Sequence, residues 1–176
     1  VSETVDRQVI YAEYERVRRV FGDLVAQASP ADLRRRSSGT RWTNEELLFH
    51  MLFGFLIVRA LLGLVKVFGV LPRPVSRAYA AVLNLATGPF NVVNYLGSVI
   101  GAKLHRPPRV AARLDRVTTR LADRLGAEQD ATLAKGMCLP RRWDPFFHGY
   151  LTLTEIYLYP VQHFDFHARQ LSLGGD

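Results

Sequence analysis

Lysine is scarce in this chain of 176 residues. Only Lys66, Lys103 and Lys135 occur, so nearly all of the formal charge of +7 is arginine. Such an excess favours anionic partners or surfaces and bears on association rather than on fold. Cysteine is scarcer still. A single residue, Cys138, excludes an intrachain disulfide framework and fits a reducing compartment. No stretch alternates apolar and polar residues with period two, so no strand is expected, and no internal repeat is visible. The first residues, "VSETVDRQVIYAEYERVRRVF", are charged and amphipathic with no apolar core, so no secretory signal is read and a cytoplasmic location is expected. Acids are few and scattered, and the apolar share of 48% is that of an ordinary globular chain, expected to form one domain over 1–176.

What is present is helical. Residues 5–27 carry Val9, Tyr11 or Ala12, Val17, Val20 or Phe21, and Leu24 at helical spacing, with "SPAD" as a stop. Thr43 and Glu46 form a T-x-x-E capping box, which predicts a helix running to about Phe68. The run at 47–71 is long enough to span a membrane. His50, Arg59 and Lys66 interrupt it, however, and this favours a buried central helix. Residues 76–104 read as two apolar helices broken by "TGP" at 87–89. Another helix is expected from Pro107 or Pro108 to Gly126, with a seam of Leu114, Val117, Leu121 and Leu125. Thr152 and Glu155 form a second capping box and open the last helix, which Pro160 should kink. The fold class expected is all-α, an antiparallel four-helix bundle with additional helical segments between the second and third core helices.

Two of the five histidines, His163 and His167, stand one helical turn apart in "YPVQHFDFHARQL" and share a face. Two imidazoles so placed can hold one divalent ion. A third candidate, His50, lies inside the apolar run of the capped helix. There it needs a partner for its N–H and an occupant for its lone pair. A shared metal satisfies that need; a buried hydroxyl satisfies it equally, with His163 and His167 then merely capping an exposed face. His105 and His148 lie in polar settings and are left outside the site.

"GTRWTNEELLFHMLFG" (39–54), "WDPFF" (143–147) and "YPVQHFDFHARQL" (159–171) together resemble the DinB-like superfamily. This metal-binding four-helix family includes bacillithiol- and mycothiol-dependent thiol transferases. The resemblance implies that His50, His163 and His167 ligate a divalent metal. It also implies transfer of a low-molecular-weight thiol to an electrophile, or a related hydrolysis. The segment 72–106 is longer and more apolar than in compact members of that family. Three imidazoles suit zinc or nickel, and also copper or iron.

Other residues qualify for supporting roles. Glu46 shares a face with His50 and could orient it or accept a proton, although the capping box competes for it. Tyr159, one turn before His163, could donate to an anionic intermediate. Gln170 shares the face of His163 and His167 and could hold their second nitrogens. Asp165 points away. Cys138, read as lying in a loop, is expected to be inert. Arg109, Arg113, Arg116, Arg120 and Arg124 form a stripe beside the apolar seam, expected to be solvated and paired with acids such as Glu13 and Glu15. No nucleic-acid motif accompanies it. The expected partner is a small-molecule thiol or electrophile; a homodimer or a membrane-peripheral role driven by 47–104 and the arginines are the alternatives.

Overall fold

A computed structural model describes residues 6–174. Eight helices are joined by one short ribbon: α1 (Arg7–Gln27), α2 (Pro30–Arg34), α3 (Asn44–Val70), α4 (Arg73–Leu85), α5 (Thr87–Leu104), α6 (Pro107–Ala127), α7 (Asp130–Leu133), β1 (Gly136–Cys138), β2 (Tyr150–Thr152) and α8 (Leu153–Ala168).

Three of the long helices, α1, α3 and α8, begin where side chains satisfy free backbone N–H groups. Asp6 accepts from Gln8 N at the start of α1. Thr43 and Glu46 form a reciprocal capping box at α3, as do Thr152 and Glu155 at α8. A third box, Ser29 with Asp32, opens α2 within the stretch read as a stop. The buried stripe of α1 is Ile10, Tyr14, Val17 and Phe21, and Val9 is half exposed. The sequence reading therefore had the first turns of that face about one residue out of register. The seam of α6 is the expected one, with Val110 added.

The core lies among α1, α3, α6 and α8. Arg7 donates to the carbonyls of Leu125 and Glu128, and Arg18 meets Asp115, so α1 and α6 are antiparallel. Tyr14 donates to the carbonyl of Tyr157 at 2.6 Å and Phe21 lies against Phe164, so α1 and α8 run parallel. His50 and Gly54 face His167 and His163, which makes α3 antiparallel to α8. It follows that α3 and α6 point the same way, as the ion pair Lys66–Glu128 at their C-terminal ends confirms. Two parallel neighbours need a long return connection. The elbow of α4 and α5, hinged at Ala86, supplies it.

α5 docks on α3 through a glycine: a Cβ on Gly101 would lie 2.0 Å from the ring of Phe49. Among the described residues, helix α3 alone is long and apolar enough to cross a membrane. In this fold it is the central helix, with α5, α6 and α8 packed on it.

Three expectations are corrected. A two-stranded antiparallel ribbon exists, pairing Gly136 with Thr152 and Cys138 with Tyr150; three residues a side are too few for a period-two pattern to show. Cys138 therefore ends a strand instead of lying in a loop. The acids Glu13 and Glu15 pair with Arg16 and Arg18 on their own helix, not with the stripe on α6. Helix α8 carries Pro160 inside it, as the sequence places it, and runs to Ala168.

Candidate metal centre

The register between α3 and the end of the chain is fixed by Asn44, which is fully buried. Its amide donates to the carbonyls of Asp32 and Ser172 and accepts from Ser172 N. Nearby, Ser38 N donates to the carbonyl of Gln170 at 2.7 Å. These bonds hold the start of α3 against the segment that follows α8. One turn and a half further along α3, His50 meets the last two turns of α8.

There His50, His163 and His167 form a buried cluster, 3%, 5% and 8% exposed. Their ring centroids are 4.5 to 4.8 Å apart, and one nitrogen from each lies within 4.8 Å of the others. The hydrogen bonds fix two tautomers. Ser98 donates its hydroxyl proton to the carbonyl of Asn94, so its oxygen accepts from His50 Nδ1–H at 3.1 Å. Gln170 Oε1 accepts from His167 Nδ1–H at 2.6 Å. Both rings then keep a lone pair on Nε2. His163 Nδ1 is buried with no partner among the described residues.

Burial opposes the charged form of all three rings. It holds His50 well below 6.5, with His163 and His167 adding repulsion. His163 is pushed down to about 3 by burial and by His167. His167 is lowered by burial against the opposing bond to Gln170. Neutral imidazole is the form that binds metal, and an unpartnered buried ring nitrogen is the kind of atom an ion would satisfy. The donor set and its protonation therefore fit a divalent ion, and three buried histidines could hold one.

The remaining site is shaped by close approaches. A Cβ on Gly54 would lie 2.8 Å from His163 Nδ1, so this turn of α3 has to be glycine for the imidazole to sit there. Trp42 stacks on His50 with centroids 4.3 Å apart. His50, Gly54 and His163 border a largely apolar cavity of about 230 Å³, whose far wall is the elbow residues Leu83, Phe90 and Asn94. Trp143 seals one side by stacking on Phe90 at 3.9 Å and donating to the carbonyl of Leu83.

Asp144 and Tyr159 also line this cavity. Tyr159 donates to Asp144 Oδ2 at 2.8 Å and Phe146 N donates to Asp144 Oδ1. Asp144 Oδ2 stands 3.9 Å from His163 Nε2, beyond hydrogen-bond range. Burial raises the carboxyl of Asp144 above 3.8, partly offset by those two bonds.

The expected residues are thus placed as follows. His50, His163, His167 and Gln170 come together: His50 meets a buried hydroxyl through one nitrogen and keeps a lone pair on the other for an ion, while His163 and His167 are buried and do not cap an exposed face. Glu46 does not serve the site: its carboxylate accepts from Thr43 N, and Ser98 is the residue that orients His50. Tyr159 is in the site, but its hydroxyl is already engaged as a hydrogen-bond donor to Asp144. Asp165 faces the other way and pairs with Arg16. Sequence reasoning missed Ser98 and Asp144; the only signal for Asp144 was its place in "WDPFF".

Comparison with curated proteins and with solved structures gives no match. The family model described as the DinB superfamily matches residues 13–171, nearly the whole chain and every element of the site. The chain belongs to the DinB superfamily.

Proposed function

We infer that this protein is a metal-dependent enzyme that transfers a low-molecular-weight thiol to an electrophile, with His50, His163 and His167 holding the ion. The observation that carries this reading is a neutral histidine triad, two of whose members, His50 and His163, border an apolar cavity lined by one carboxyl group, Asp144. A divalent ion, zinc or nickel being among those that three imidazoles suit, would supply positive charge that favours the deprotonated form of a thiol or of water.

The chain's own residues do the rest. Ser98 and Gln170 fix the rings of His50 and His167, so their lone pairs are aimed before any ligand arrives. Tyr159 and Phe146 N hold the Asp144 carboxylate in place, and Asp144 Oδ2 takes the proton of the incoming thiol. The apolar walls exclude water and receive an apolar electrophile. A hydrolase of the same class would use water at the same position.

Turnover by the metal-loaded protein over a panel of small thiols and electrophiles tests this reading. Asp144→Asn should keep the metal and lose about 10²- to 10⁴-fold in rate, the usual share of a general base. In the wild type the rate should rise with pH through the raised value of Asp144. No turnover with a fully loaded site would leave a non-catalytic metal-binding bundle instead.

A further inference from the structure

Between Leu47 and Leu114 the chain contains no aspartate or glutamate and eight lysines and arginines. This stretch comprises most of α3, the elbow and the start of α6. On α5 the residues turned away from α3 are Val92, Val93, Leu96, Ile100 and Leu104, between 46% and 68% exposed, with Lys103 among them. On α4 the outward positions Val75, Val82 and Leu85 are exposed as well. Val92, Leu96, Ile100 and Leu104 recur every four residues with Val93 beside them, and Val75, Val82 and Leu85 are seven and three apart, so each set lies on one helix face.

The C-terminal end of the α5 stripe adjoins a cationic cleft. Arg113 bonds His105, the residue that caps α5, and lines a cleft with Arg59, Arg116 and Arg120. Among the described residues none of these four guanidinium groups meets a carboxylate. Uncompensated guanidinium groups that converge are phosphate-binding chemistry.

We propose that the outer face of the α4–α5 elbow docks on an anionic membrane surface, its apolar stripe entering the acyl boundary and the arginine cleft taking lipid phosphate. Charge decides the occupant. An isologous contact with a second copy would set this acid-free surface against itself, whereas anionic lipid complements it. The inference does not depend on the metal reading. It does place the cavity beside the lipid, because the inner face of the same elbow is the cavity wall.

The test is co-sedimentation of the whole chain with vesicles of phosphatidylcholine alone and with about one-third phosphatidylglycerol, at low and high salt. Binding is expected for the anionic vesicles only, and it should weaken with salt. Both Val93→Ser/Leu96→Ser/Ile100→Ser and Arg116→Gln/Arg120→Gln should reduce it about ten-fold or more. The altered residues are exposed, so thermal melting should be unchanged; if the stripe variant fails to fold, the arginine pair decides. No binding, equal binding to both vesicles, or undiminished binding by either folded variant overturns the proposal. So does a lipid-free dimer in light scattering that the stripe variant dissociates.

Discussion

His163 is the residue on which the site turns, and the space for it is made by an absence. Gly54 sits where any side chain would strike the imidazole. Elsewhere in a helix, Gly→Ala gains about 1 kcal/mol of helix propensity. Here Gly54→Ala should instead displace His163 and weaken zinc binding about ten-fold or more, as read by chelator competition; unchanged affinity would show that the ring does not ligate. Spacing and an apolar context marked the histidines as candidates in the sequence, and the family resemblance joined the three into one site. Ser98 was not, since a serine on an apolar helix gives no sign that its hydroxyl will meet a ring 48 positions away. Glu46 was over-read: sharing a face with His50 says nothing about which neighbour wins the carboxylate, and the capping box won.

At the scale of elements, capping boxes and apolar seams gave the starts of α3 and α8 and the buried face of α6. Local chemistry decides those features. Where tertiary contact decides, the sequence was silent. The ribbon of β1 and β2 is too short to pattern, and the elbow's direction follows from α3 and α6 being parallel. Gly101 is the contact that seats that arrangement, because α5 reaches α3 only where no Cβ intervenes between it and Phe49. Gly101→Ala should overpack this contact and cost about 1–3 kcal/mol in urea unfolding. It should also perturb the cavity wall that α5 supplies. A neutral or stabilising effect would mean that α5 is not seated on Phe49.

For the whole molecule, the site exacts a cost in stability without its ion. All three imidazoles have values below 6.5 when folded, so the unfolded chain takes up protons first as the pH falls. Stability of the metal-free protein should be fully present above 6.5 and decline below it, continuing toward about 3 for His163. Between pH 7 and 5 each histidine that stays neutral should remove about 2 kcal/mol. Urea unfolding of wild type and His163→Asn should show the steeper loss in the wild type; parallel curves would mean that His163 is not held neutral by burial. Bound metal should offset the loss by mass action. The central claim is that the triad holds a divalent ion, and elemental analysis of the purified protein tests it most directly. The account predicts near-stoichiometric zinc or nickel in the wild type and little in His163→Ala/His167→Ala. A wild type that stays empty after incubation with both metals at neutral pH would contradict it.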